Sequence, residues 1–177
     1  MSSDIKVDEI IRFRKGTPVG IFDGLDAQQL ASISSIMKRH CFKSGDTITR
    51  DGEEGDAMYL LLSGEVKVSK QLFLKTSKVL GQVDKEIVIL KAATNPYFGE
   101  LALFDAKSLR MATVTAIKDC ECAVMLNHDF LKLSDSKPEI GYPVMKNIVS
   151  NLAGTIKKQN ENILNLTTAL SIALSAS

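Results

Sequence analysis

The stretch DGEEGDAMYLLLSGEVKV, residues 51–68, sets two chain-reversing clusters around one unbroken apolar run. DGEEGD at 51–56 and SGE at 63–65 combine glycine with acids and serine, residues that suit tight turns. Between them AMYLLL (57–62) reads as a strand. Beyond them, in VKVSKQLFL (66–74), Val66, Val68 and Leu72 alternate with polar residues, as a half-buried strand requires.

The same texture extends in both directions. KSGD (43–46) is a further turn signal and TIT (47–49) a short strand, with the change of texture beginning at Arg39. Downstream, EIVILKA (86–92), RMATVTAI (110–117) and ECAVMLN (121–127) are strand candidates. Gln82-Val83-Asp84-Lys85 is the expected tip of a hairpin. Short strands at this spacing predict a sandwich or barrel.

Helices are expected on either side. Ile5, Ile10 and Ile11 give residues 4–15 a helical spacing that ends near Lys15-Gly16. Residues 26–37 have Asp26 as an N-cap and Leu30, Ile33 and Met37 on one face. LNHDFLKL begins another helix with Asn127 as a cap, and Ser136 caps a last one with Pro138 in its first turn.

That last segment carries a heptad pattern. Val149, Ile156, Ile163 and Leu170 occupy position a, while Leu152, Gln159, Leu166 and Ala173 occupy position d. Mostly β-branched residues at a, with Leu at two d positions, predict a parallel two-stranded coiled coil and so a homodimer through residues 145–173. Gln159 is the one polar residue in the seam and fixes its register. The alternative is a single long helix folded back on its own β domain.

Composition narrows the classes. Hydrophobic residues make up 45% and charged residues 24%, which excludes extensive disorder. Lys+Arg 22 against Asp+Glu 21 leaves no basic excess for the phosphate contacts of a nucleic-acid binder. The N-terminus has acids among its apolar residues and does not read as a secretory signal. The run Ala169 to Ala176 is too short to span a bilayer, so no membrane partner is expected. Cys41, Cys120 and Cys122 form an odd, sparse set, which suits free thiols in a reducing cytoplasm. Cys120 and Cys122 fall on one strand face and read as core. His40 and His128 are too few and too far apart for a metal or acid–base cluster.

The chemistry is concentrated in YFGELALFDAKSLRMATV, residues 97–114. Gly99 lets backbone approach a ligand closely, and the apolar stretch Glu100 to Phe104 suits one helical turn. The free N–H groups of such a turn attract an anion. Arg110 supplies a positive charge ten positions after Glu100. By spacing alone the two also suit a structural salt bridge inside a loop.

KSGDTI, then DGEEGDAMYLLLSGEVKV, then FGELAL followed by R-x-A-T, together resemble a cyclic-nucleotide-binding domain over about residues 19 to 165. The resemblance is to the family of cAMP-dependent kinase regulatory subunits, cyclic-nucleotide-gated channels and regulators of the catabolite-activator type. It implies a mainly β fold with flanking helices, an antiparallel β-roll of double-stranded jelly-roll type, preceded by helices and followed by a long C-terminal helix. The implied division is an N-terminal helical segment (1–18), the nucleotide-binding roll (19–135) and a dimerising helix (136–177).

The resemblance also implies the site. Glu100 accepts a hydrogen bond from the ribose 2′-hydroxyl, and Arg110 with backbone N–H groups holds the cyclic phosphate. Phe98, Gly99, Leu101, Ala102, Met111 and Ala112 complete the pocket, and Thr155 on the long helix meets the base. The expected ligand is cAMP, with cGMP second; no cofactor or metal is expected. Three positions depart from the family pattern. Leu109 stands where proline is frequent, and Asn95-Pro96 replaces the glycine of the turn before FGE. Met111 replaces a small residue, which in cGMP-selecting members is a threonine that bonds the guanine 2-amino group. The residues left over are too few for a catalytic or helix-turn-helix domain. The expected role is therefore a cytoplasmic sensor module that is no enzyme and signals through its C-terminal helix to an unidentified protein. A degenerate dimeric scaffold of the same fold, favoured by Met111, is the alternative.

Overall fold

A computed structural model describes residues 4–16, 19–76, 79–105 and 107–175. The strands are β1 (Met37–Phe42), β2 (Thr47–Thr49), β3 (Ala57–Ser63), β4 (Glu65–Thr76), β5 (Val79–Lys91), β6 (Tyr97–Phe98), β7 (Thr113–Ala116) and β8 (Cys120–Leu126). They form two antiparallel four-stranded sheets, ordered β1-β8-β3-β6 and β2-β7-β4-β5. Helices flank them: α1 (Val7–Ile10), α2 (Ala27–Ser35), α3 (Asn127–Ser136) and the long α4 (Pro138–Ser175).

Why AMYLLL is apolar throughout is now plain. Met58 and Leu60 on β3, with Ala123 and Met125 on β8, pack into a core shared with the helices. Ala57 and Leu61, with Cys120, Cys122 and Val124, face the other way into a second core. Val66 from β4 and Val114 and Ala116 from β7 close that second core from the opposite sheet. A sheet covered on both faces needs apolar residues at every position, so β3 and β8 lose the period-two pattern. β4 keeps it at Val66 and Val68, whereas the side chain of Leu72 lies outside the described residues.

Two turn glycines are compulsory. Gly64, between β3 and β4, has φ of 86°, and a Cβ there would lie 2.3 Å from the Asp119 carbonyl oxygen. Gly99 has φ of 77°. Asn95 takes the left-handed region at φ 52°, as its short polar side chain allows, and donates its amide to the Arg12 carbonyl at 3.1 Å.

Several expectations are corrected. Residues 82–85 are not a hairpin tip: they lie within β5, with Gln82 opposite Phe73 and Lys85 opposite Lys70. The ladder runs on to Thr76 opposite Val79. The first helix is a single turn, and Ile11–Arg14 continue as a 3-10 helix. That tightening turns Ile11 outward and buries Phe13 beside Ile5 and Ile10. α2 begins with the expected cap, Asp26 accepting from the Gln29 N–H at 2.8 Å. It ends at Ser35, and Met37 reaches the core from β1 instead.

Asn127 does not cap α3, because its amide is drawn inward to the Leu103 carbonyl at 2.7 Å. Ser136 does not cap α4 either, since its hydroxyl donates back to Leu133. Pro138 does open that helix. Pro143 follows within it and lacks the N–H that would meet the Glu139 carbonyl. Gln29 Nε2 donates to that carbonyl at 3.3 Å.

α4 is two things in succession. Ile140, Val144 and Ile148 are buried in the helical core, and Leu152 packs against it. Two asparagines one turn apart fasten this part to the segment before α2. Asn147 donates to the Ile21 and Asp23 carbonyls at 3.2 and 2.9 Å. Asn151 accepts from the Val19 N–H and donates to the Val19 carbonyl and to the Tyr97 hydroxyl, at 3.1, 2.9 and 2.7 Å. From Ala153 to Ser175 every residue is exposed, so the helix does not fold back on the β domain. No described helix is long and apolar enough to cross a membrane.

Candidate functional site

The site is built where the turn at 50–56 grips the loop after Leu103. The Arg110 N–H donates to the Glu53 carbonyl at 2.8 Å, and the Gly52 N–H donates to the Arg110 carbonyl at 2.9 Å. Gly55 N–H reaches Ser108 at 3.3 Å. The backbone of the DGEEGD turn is thus a clamp around Arg110.

Two glycines then make room for the arginine side chain. A Cβ on Gly55 would sit 2.0 Å from Arg110 Nε, and one on Gly99 would sit 2.6 Å from Nη1. Arg110 Nη1 donates to the Ala57 carbonyl at 2.8 Å, and the guanidinium lies 5.7 Å from the Tyr59 ring centroid. That ring is stacked on Phe98 at 5.1 Å with an interplanar angle of 7°.

Gly99 opens the 3-10 helix Glu100–Leu103, so the expected turn is present in its tighter form. Ala102 N–H ties back to the Gly99 carbonyl at 3.1 Å. A cavity of about 260 Å³ opens beside this turn. Phe98, Gly99, Glu100, Leu101 and Ala102 form one wall, and Arg110, Met111 and Ala112 form another. Thr49, Val68, Ser108, Leu109 and Val114 complete it, and none of these five was anticipated as a wall. Eight of the nine expected residues therefore meet in one place.

The ninth, Thr155, does not. It is exposed on α4 and its hydroxyl donates to the Asn151 carbonyl at 3.0 Å. It borders a wider neighbouring opening of about 790 Å³ with Tyr97, Asn151 and Leu152. Glu100 borders both spaces.

Glu100 and Arg110 do not pair: among the described residues no ion pair joins either of them. The salt-bridge alternative is absent. Burial pushes the Glu100 carboxyl above its ordinary 4.5, offset in part by a hydrogen bond from its own N–H. Met111 is 65% exposed at the cavity rim, and its carbonyl accepts from Lys70 Nζ at 3.0 Å. Lys70 also pairs with Asp51 at 3.6 Å, so β4 is stitched to the loop on which Arg110 stands. Cys120 and Cys122 are buried in the inter-sheet core, where burial pushes the Cys122 thiol up to about 12.

The raised Glu100 carboxyl has a measurable consequence. The folded state holds its proton more tightly than the unfolded state, so stability falls as pH rises from 4.5 through the folded pKa. Glu9, Glu65 and Asp119 act in the opposite sense. Arg39, Lys118 and Lys43 hold their carboxyls low, and their contribution is lost in acid. Comparing wild type with Glu100→Gln isolates the one group. Urea melts near pH 4 and near pH 8 should show the variant gaining on wild type at the higher pH. A difference that is the same at both would remove the raised Glu100 carboxyl.

The family model for the cyclic nucleotide-binding domain matches residues 39–137. The chain belongs to the cyclic nucleotide-binding domain family. The matched span runs from β1 to the end of α3 and contains both cavity walls. A CRP-like cAMP-activated global transcriptional regulator of Mycobacterium tuberculosis is 27% identical over 83% of the chain, which spans 59% of that regulator. The cGMP-dependent protein kinase egl-4 of Caenorhabditis elegans is 32% identical over 56% of the chain and 12% of the kinase. Among solved structures, the catabolite activator protein of Thermus thermophilus superposes with a TM-score of 0.70 at 25% identity, over 83% of this chain and 62% of that one. The names of the first two relatives include cAMP and cGMP respectively.

Proposed function

We propose that the chain is a non-catalytic cyclic-nucleotide sensor that takes cAMP, dimerises through the exposed half of α4 and signals through that helix to a protein partner. The observation that supports it is Arg110, a cation held in a cavity wall with no carboxylate among the described residues to neutralise it. A cyclic phosphate brings the missing charge in a form that guanidinium binds well. Glu100, mostly buried and short of donors, is suited to accept from the ribose hydroxyl. Residues 19–135 are the sensing unit and 136–177 the transmitting one. The site needs no cofactor or metal, the near-neutral charge suits no nucleic-acid partner, and the setting is the cytoplasm. Thermal shift and calorimetry with cAMP, cGMP and cyclic dinucleotides test the reading, and no response to any of them ends it.

Met111 supports cAMP over cGMP. It lies at the rim rather than in the core, where it has no strong donor or acceptor to offer a base. Guanine must leave its 2-amino group unpaired there, at about 1–3 kcal/mol, so cAMP is expected to bind roughly ten-fold or more tightly. Met111→Thr should narrow the gap by recovering cGMP. Equal titrations, or a tighter cGMP, would reverse the assignment. The exposed Met111 side chain also favours the second reading, a degenerate scaffold, which predicts a dimer that ignores every cyclic nucleotide.

A further inference from the structure

Two described arginines, Arg39 and Arg50, are held by carboxylates, whereas Arg12 donates to the Leu61 and Leu62 carbonyls and lies over the Phe13 ring. Arg39 bonds Glu9 and Glu121, each at 2.6 Å, and Arg50 pairs with Glu53 at 3.2 Å. Arg110 is held otherwise, by one backbone carbonyl and the face of one ring. The difference is chemical. A carboxylate fixes a guanidinium but cancels its charge, and an incoming phosphate must then displace it. A carbonyl and a π-face fix the same group and leave its charge whole.

We propose that Tyr59 is a positioning residue for Arg110, a platform that fixes the guanidinium for an anionic ligand without neutralising it. This rests on the sensor reading above. The Tyr59 ring lies 5.7 Å from the guanidinium carbon, within the roughly 6 Å over which a cation and a ring face attract. Phe98 stacks on the ring at 5.1 Å, which stops it from turning away. Gly55 and Gly99, with no Cβ, leave the guanidinium free to lie over it. Tyr59 is half-buried on β3, opposite Phe98 in the β3–β6 pairing, so the strand register itself brings the two rings together. A tyrosine in an apolar run would be explained by packing alone, and packing does not require an arginine above it.

Tyr59→Leu keeps an apolar side chain and removes the π-face; Tyr59→Phe keeps the face and removes the hydroxyl. By calorimetry, Tyr59→Leu should weaken cAMP about ten-fold and Tyr59→Phe by no more than about two-fold. Phe98→Leu, which frees the ring without deleting it, should fall between them and serves if Tyr59→Leu does not fold. The second readout is the Arg110 Nε–H resonance, assigned by its loss in Arg110→Ala. The ring current should displace it in wild type and Tyr59→Phe, and Tyr59→Leu should return it towards the value of a free arginine. A purely structural role would lower the melting temperature without moving that resonance. Wild-type affinity in Tyr59→Leu, or an unmoved resonance, overturns the proposal. Failure of wild type to bind any cyclic nucleotide defeats the sensor reading instead, and the resonance alone then decides the platform.

Discussion

Arg110→Ala is expected to lower cAMP affinity by at least a hundred-fold, equivalent to about 3–5 kcal/mol, while the protein stays folded. The loss is large because the ligand phosphate would enter a partly enclosed wall with its counter-charge gone. The fold survives because the apo protein gives up little. One hydrogen bond to the Ala57 carbonyl and one contact with Tyr59 are lost, and no buried acid is orphaned. A net hydrogen bond of this kind contributes about 1 kcal/mol, a few degrees of melting temperature. Calorimetry and a melting curve on the same sample decide it. Unchanged affinity would remove Arg110 from the site, and collapse of the fold would make it a structural cation.

The second large effect is in assembly. Replacing both Ile156 and Ile163 by Asp should halve the mass measured by sedimentation and leave the β domain's melting intact. Both isoleucines are more than half exposed in the single chain, at 56% and 61%, along with Leu166 and Leu170 on the same stripe. A paired helix would cover that stripe, and carboxylates buried in the seam would not be tolerated. Wild type should also melt at a temperature that rises with protein concentration, as mass action requires of a dimer. A wild type that sediments as a monomer ends the coiled-coil reading. Exposure from Ala153 onward excludes the fold-back alternative and does not by itself supply the partner.

Much of this architecture can be read from residue order, for a physical reason. A left-handed turn and a close backbone approach each demand glycine, so Gly64 and Gly99 advertise their positions. Strand boundaries between such glycines follow. Where no residue type is compulsory, the sequence is silent or misleading. Gln82 to Lys85 have the polarity of a turn, yet β4 supplies a partner for each and the ladder simply continues. Asn127 has the chemistry of a cap, but a buried carbonyl at Leu103 competes for its amide and wins.

The site divides in the same way. Gly99, Glu100 and Arg110 stand close together in the chain and could be read as a group. Gly55 and Tyr59 lie more than fifty positions from Arg110, and their part depends on tertiary contact. Gly55 does look like another turn residue until a Cβ is placed on it. Thr155 depends on tertiary placement as well. The resemblance implies a place near the base, and α4 sets it at the neighbouring opening that Glu100 also borders, beside Asn151.

In the proposed sensor, the asparagine clasp on α4 would make the helix a lever. Asn147 and Asn151 hold its near end to the chain at Val19–Asp23 and to Tyr97, two residues ahead of Gly99. Beyond Leu152 lie twenty-three helical residues, an arm of about 35 Å at 1.5 Å per residue. The distance from the Tyr97 hydroxyl to the Asn151 amide is only 2.7 Å, so on the proposed reading a shift of β6, ahead of Gly99, would be felt directly at the pivot. With an arm of that length, a tilt of about 10° there moves the far end by roughly 6 Å. The mechanical gain is set by helix length alone, and removing turns from the free end would shrink the stroke in proportion while leaving the pocket untouched.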